Sequence, residues 1–464
     1  MNKRFQRMTV ADVDAWPLPL ELIHYMVEFL PNEASFLIYY ASYSQPKSEA
    51  KDTACLEALT EFRGEASEET TWPHLVLTKP SDLANLYVQT AIPFYPHVDL
   101  RFDHVFDVDL LFSKMSPTSN VFIELLPKAD AEFPTPVTEY YDKLGKLPVV
   151  GVSKLEGQKD IAAVDHFALV LPRWTNKLKS LSITFSKTIP DVFFEFLKTC
   201  HLDSLDLSLE GEDTEQGDAL MPCLTHWLTN NPAKSFRFYH WDKLDCDPKI
   251  YLDFCTAVAE SSSLETLFLT PFPDFLLQEG FHIPDNVTHL GAGVYGEEDE
   301  GLDHIKMIQL CLLLAASDVE SLTIMEPVTT LQVRMLMSNM PNTSLKELIM
   351  NGAKVGDRGV YAIAHAFAAS GLESLHLAKN DITDRGADDI SMAMAMAERD
   401  LKTINLDGNK IGPMGFCGLI TTLRQRNHVT EELSVRGNTM LNKKFAGTLM
   451  QKFGPEDGST RVLV

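Results

Sequence analysis

Residues 291–296 read GAGVYG, a literal GxGxxG behind a predicted strand, the glycine spacing that lets a backbone approach a pyrophosphate in dinucleotide-binding folds. Two features oppose that chemistry here. Gly291 and Gly293 fall on outward positions of a strand rather than in a turn, and the run EEDEG at 297–301 would repel phosphate. The expected role is structural, a side-chain-free patch where a partner's backbone can come close. Cys223, His226, His240 and Cys246 supply four zinc-type donors, but their spacing fits no common finger. Trp227 and Trp241 beside them point to core packing instead. Asp99, Asp103, Asp107 and Asp109 alternate around apolar residues and read as solvated loop and edge charges rather than a metal cluster. There is no GxSxG, HExxH or P-loop pattern. No catalytic residue, metal ligand or cofactor site is expected, and the chain is expected not to be an enzyme.

Composition narrows the partners. With 65 Asp+Glu against 40 Lys+Arg, the 464-residue chain carries a formal net charge of -25. Such a surface repels nucleic-acid backbones, whereas a basic protein surface would be steered toward it. The basic N-terminus MNKRFQR is not followed by an apolar signal core, and the densest apolar run, MIQLCLLLAA at 307–316, is too short to span a bilayer. Seven Cys without paired spacing suit reduced thiols. A cytoplasmic or nuclear protein, off the membrane and monomeric alone, is expected. The length suits either roughly two to four ordinary domains or one repeat array.

Spacing favours the array. LESLHLAKNDI at 372–382, LKTINLDGNKI at 401–411 and TEELSVRGN at 430–438 start 29 residues apart. Gly386 and Gly415 stand six residues after Asn380 and Asn409, and Gly359 holds the same offset from Ala353. In LxxLxL, alternate residues of a short strand point inward, and the terminal Asn has an amide able to satisfy backbone groups left open by a tight bend. The segments that follow carry Ala, Met, Ile and Phe at helical spacing. Further copies run backwards: LKELIM at 345, VESLTI at 319, VTHLGA at 287, LETLFL at 264, AKSFRF at 233, LDSLDL at 202 and LKSLSI at 178, with starts 23 to 32 residues apart. One repeat cannot bury its own core, so stacking is required.

This pattern resembles the leucine-rich repeat of the ribonuclease-inhibitor-like class. The resemblance implies an α/β solenoid, with a curved parallel sheet on the concave side and helices on the convex side. Residues 178–440 hold the clear repeats. Residues 65–177 contain strand-like runs at 74, 98, 121 and 149, readable as degenerate repeats or as a small linker domain. Residues 441–464 read as a C-terminal cap with a frayed tail. The stripe Met392, Met394 and Met396 reads as core of a convex helix.

The first 64 residues form a different unit. WPLPLELIHYMVEFL at 16–30 gives a short helix with a wide apolar face, opened by Pro19 and ended by Pro31. It resembles an F-box, the adaptor-binding motif of SCF-type ubiquitin ligases, in Leu18, Pro19, Glu21, Leu22, Ile23, Met26, Phe29 and Leu30. The latter half of the motif has no counterpart in YYASYSQ at 39–45. The resemblance implies that Leu18, Pro19, Leu22, Ile23, Met26 and Leu30 would contact a Skp-type adaptor of a cullin ligase. The alternative is a helix that caps the first repeat.

Outward strand positions should line one binding surface. Arg237, Tyr239, Phe268, Met325, Ile349 and His376 are residue types that anchor interfaces, and Asn405, Asp407 and Arg436 extend the row. Two functions follow: a substrate-recognition subunit of a ubiquitin ligase, or an interaction scaffold without a ligase role. In both, the partner is another protein.

Overall fold

The computed structural model describes residues 74–464 except 128–130, 156–168, 186–187, 210–215, 241–245, 271–279, 294–303, 368–369, 427–428 and 455–459. The F-box-like segment, with Leu18, Pro19, Leu22, Ile23, Met26 and Leu30, lies outside the described residues. Two compact units divide the chain, Met1–Leu205 and Asp206–Val464.

In the first unit, β1 (His74–Leu77), β2 (His97–Leu100), β3 (Asn120–Ile123), β4 (Val149–Leu155) and β5 (Ser180–Phe185) pair in parallel and in chain order. Short helices join them: α1 (Leu86–Ala91), α2 (Val108–Lys114) and α3 (Val137–Leu144), with α4 (Asp191–Thr199) after β5. Period-two alternation buries Val98 and Leu100, Val121 and Ile123, then Leu181, Ile183 and Phe185. Residues 74–155 therefore repeat the strand–helix pairing of the clear repeats, although their sequence barely shows LxxLxL. The unit boundary falls inside β6 (Ser204–Leu209).

In the second unit, β7 (Ser235–His240), β8 (Thr266–Thr270), β9 (His289–Ala292), β10 (Ser321–Ile324) and β11 (Glu347–Ile349) pair in parallel and in chain order. So do β12 (Ser374–His376), β13 (Leu401–Asn405), β14 (Thr430–Ser434) and β15 (Arg461–Leu463). The helices are α5 (Gly217–Asn230), α6 (Pro248–Ala259), α7 (His304–Ala315), α8 (Thr330–Asn339), α9 (Gly356–Phe367), α10 (Asp384–Met396), α11 (Pro413–Gln425) and α12 (Lys443–Phe453). Neighbours pack side by side from α7 through α12. The motif leucines meet the helices: Leu345, Leu348, Leu372, Leu375, Leu401 and Ile404 are all buried, each side chain contributing about 1.5–3 kcal/mol by leaving water. The C-terminal tail adds α12 and a further parallel strand, β15, paired to β14 through Leu433 and Val462.

Polar side chains tie each repeat to the next. Asn380, Asn409 and Asn438 are buried and form a ladder. The Asn409 Oδ1 accepts from the Asn380 and Ile382 amides at 2.8 and 3.1 Å, and its Nδ2 donates to the Leu377 and Leu406 carbonyls at 2.9 Å each. Asn438 does the same work one repeat on, accepting from Ile411 and donating to Leu406 and Val435. The residue before each Asn is left-handed: Gly408 and Gly437 have φ of 65° and 66°, and Lys379 takes the same conformation at 57°. A second staple joins the helix starts. Asp357 accepts from the Thr383 amide and hydroxyl and from the Gly386 amide. Asp384 accepts from the Gly412 and Gly415 amides.

One expectation needs correction. Only Met394 of the methionine stripe is core, 1% exposed, while Met392 and Met396 are 64% and 65% exposed. Residues two apart on a 3.6-residue helix cannot share a face with the core. The acidic cluster also has local structural work. Asp107 caps α2 by accepting the Leu110 amide, Asp99 pairs with His74, Asp103 with His104, and Asp109 with Lys143.

Candidate protein-interaction face

The strand register of the second unit brings one outward row into direct contact across neighbouring strands. Arg237, Phe268, Gly291, Thr323, Ile349, His376, Asn405 and Ser434 stand opposite one another in succession. Inward neighbours such as Leu267, Leu290, Leu322 and Leu348 are buried, so the row is held by a packed core. Tyr239 lies beside Thr270 in the next row toward the strand ends.

Within this face the side chains pair in small groups. Arg237 sits over the Phe268 ring, its guanidinium carbon 4.5 Å from the centroid, a cation–π contact. The Phe268 ring in turn lies over Gly291: a Cβ there would come within 2.0 Å of the ring. The space over Gly293 is flanked by Thr270 Oγ1 and the Met325 methyl, 2.8 and 3.1 Å from where a Cβ would be. The glycines are therefore not a bare patch. Side chains from adjacent repeats fill the room they leave, so no partner backbone needs to enter, and Gly291 is buried in the strand.

A second group forms about 14 Å away, three strand spacings along the sheet. The His376 Nε2 lies 3.1 Å from Glu347 Oε1, and Ser321 Oγ donates to Glu347 Oε2 at 2.6 Å. Ile349 is half-buried beside His376 in register. Farther on, the strand ends are braced: Asp407 Oδ1 accepts from the Ser434 hydroxyl and the Arg436 amide, and Asn405 Oδ1 accepts from the Asp407 amide. Asn405 and Asp407 thus spend acceptor capacity on shaping the turn, while the Arg436 side chain is exposed.

One row escaped the sequence reading. Thr266, His289, Ser321, Glu347, Ser374, Thr403 and Glu432 are also in register and also outward. The signal was present, since the residue before the second apolar position of LxxLxL must face the same way as the one after it. Along the strand starts runs an alternating charge ladder, with Lys346 paired to Glu320 and Lys402 to Glu373 at 2.9 Å. The hydrogen bond from Lys346 holds the Glu320 carboxyl below its ordinary range, and the bond to Glu373 raises Lys402. Pairs this exposed orient side chains more than they stabilise the fold.

The zinc-type donors are dispersed into packing roles. Cys223 donates to the Ala219 carbonyl, and His226 on the same helix meets the Asn230 amide. The His240 ring lies 5.3 Å from that of Phe238, and Cys246 Sγ lies 3.6 Å from the Asp247 carbonyl just before α6. Among the described residues no three His, Cys, Asp or Glu side chains gather as a metal site. None of the described helices is long and apolar enough to cross a membrane.

The pattern of the family described as Leucine Rich repeat matches residues 342–364 and 372–391. No curated protein matches the chain. Among solved structures it is similar to a chain in the crystal structure of the Rad7 and Elc1 complex in yeast, at 13% identity and a TM-score of 0.47, over 99% of this chain and 94% of that one. The matched repeats coincide with β11, α9, β12 and the start of α10, and their strand–turn–helix geometry is that of a leucine-rich-repeat fold.

Proposed function

We propose that the chain is a scaffold whose second unit holds a protein partner on the strand face between β7 and β14. The register-matched row from Arg237 to Ser434 carries this reading. It presents an arginine-capped phenylalanine, an isoleucine and a histidine on a rigid sheet, with a tyrosine alongside. Arg and Tyr are the types that dominate binding energy at interfaces, and the polar row beside them supplies hydrogen-bonding partners. The net charge of -25 favours a partner with a basic surface and a fast, salt-sensitive encounter.

The test is affinity purification of wild-type chain against a Tyr239→Ala, Phe268→Ala double variant, with bound proteins quantified by mass spectrometry. A partner retained by wild type should bind the variant about tenfold more weakly or worse. Unchanged capture of every partner would move the interface off this face.

A second reading is favoured by the LPLELI sequence at 18–23 and by Met26 and Leu30. In it the chain is the substrate-recognition subunit of an SCF-type ubiquitin ligase, acting in the cytoplasm or nucleus and delivering what the strand face holds. Purified Skp-type adaptor should then bind wild type and fail to bind a Leu18→Ala, Pro19→Ala variant whose circular dichroism is unchanged. If wild type fails to bind adaptor, the scaffold stands without the ligase role.

A further inference from the structure

On the helix side of the second unit, the starts of α8, α9 and α10 enclose a cleft of about 220 Å³ lined by Thr330, Arg334, Asp357, Arg358, Tyr361 and Arg385. Arg358 and Arg385 are equivalent positions of consecutive repeats, within DRG at 357–359 and DRG at 384–386. The Thr329–Gln332 capping box fixes the first turn of α8 and so places Arg334. All three arginines are exposed, and among the described residues none makes an ion pair. Lys346, Lys402 and Lys410 are each paired elsewhere in the unit, and what sets the three arginines apart is that they share one cleft.

The acids nearby offset only part of the charge of the cleft. Asp357 lines it, but its oxygens accept from the Thr383 amide and hydroxyl and from the Gly386 amide, a bond set that staples two repeats. Asp389, one turn beyond Arg385, does not line the cleft; burial first of all pushes its carboxyl up, against the opposing pull of Arg385. Guanidinium groups gathered in one concavity repel each other unless an anion lies between them. Their fork of N–H donors matches the oxygens of a phosphate dianion better than a single carboxylate.

From this geometry we infer that the cleft binds a phosphorylated side chain of a protein partner, at a site separate from the strand face. The size suits a single phosphate group, since about 220 Å³ is below the roughly 300–1,000 Å³ of pockets that bury a whole small ligand. The charge decides against nucleic acid and anionic membranes. A polyanion feels the whole field of a -25 chain, while one phosphate feels chiefly the groups within a Debye length. Tyr361, 51% exposed and braced edge-on by His365 at 4.4 Å, offers an apolar wall to the residue next to the phosphate.

The experiment is a phosphorus NMR titration of the full chain with acetyl-Ala-phosphoserine-Ala-amide, run beside inorganic phosphate, a twelve-nucleotide single strand and phosphatidylserine vesicles. Saturable broadening of the phosphopeptide signal is expected, with an Arg358→Gln, Arg385→Gln variant about tenfold weaker. The Tyr239→Ala, Phe268→Ala variant should bind the phosphopeptide as wild type does, which separates this site from the strand-face reading. Arg334→Lys, which keeps the charge and loses the fork, should weaken binding less than Arg334→Gln. Absence of phosphopeptide binding, or equal binding by the double arginine variant with an unchanged thermal melt, overturns the site. Tighter binding of the oligonucleotide or the vesicles than of the peptide overturns the assignment to a protein partner.

Discussion

Replacing Asn409 with Ala should cost about 4 kcal/mol, close to the largest effect a single polar deletion produces. The residue is 1% exposed, and its amide bonds the Asn380 and Ile382 N–H groups and the Leu377 carbonyl, as well as the Leu406 carbonyl that it shares with Asn438. Alanine fills less space and offers them nothing. Each buried group left without a partner costs about 1–3 kcal/mol, and the sum exceeds the expected value because water and small shifts recover part of it. Asn409→Asp should be at least as damaging, since it keeps the acceptor, loses both donations and buries a charge. Urea unfolding of the full chain gives the magnitude. Because a two-unit repeat protein need not unfold in one step, amide exchange must locate the loss. The Asn380 and Ile382 amides should lose protection first. A change below about 1 kcal/mol would mean that solvent replaces the amide and that the ladder is not what closes the bend.

The asparagines were legible in the sequence because the last three motif copies meet the same bend with the same residue. Leu372, Leu401 and Thr430 keep a spacing of 29, and the core position and the buried amide recur with it. The outward face was legible only in part. Alternation gives the direction of Phe268 and Gly291, but the filling of one by the other depends on register between strands whose starts lie 23 residues apart, in an array where that interval varies. Nothing inside LETLFL or VTHLGA states that a ring will lie across the neighbouring strand. The same limit hid the Asp357 and Asp384 staples. Each acts on the following repeat, so its partners lie 26 to 31 residues downstream. Before 178 the motif dissolved because β1 to β3 bury as few as two apolar residues each, too short a pattern to recognise, yet their pairing is regular. The methionine stripe failed for a simpler reason, a spacing of two read onto a helix.

Glycine at the six-residue offset from Asn was visible in the sequence, and its physical reason yields a prediction whose sign is in question. Gly415 lies in the first turn of α11, where its helix passes α10 most closely. A Cβ there would stand 2.7 Å from Ala387 Cβ, 2.8 Å from Asp384 Oδ1 and 2.9 Å from Asp384 Cα. Helix propensity alone favours Gly415→Ala by about 1 kcal/mol. Overpacking against a backbone atom costs about 3 kcal/mol, because neither the Asp384 backbone nor its carboxylate, bound to the Gly412 and Gly415 amides, can yield without breaking the staple. The steric cost wins, and the variant should be about 2 kcal/mol less stable than wild type. Gly447 in α12 supplies the control, since a Cβ there meets nothing within 4 Å. Gly447→Ala has the propensity gain without the collision and should stabilise the last repeat by about 1 kcal/mol. Parallel urea titrations of the two variants should therefore move the midpoint in opposite directions. If Gly415→Ala also stabilised, α10 and α11 would have room to separate, and the close helix approach would be a consequence of the asparagine ladder rather than a constraint of its own.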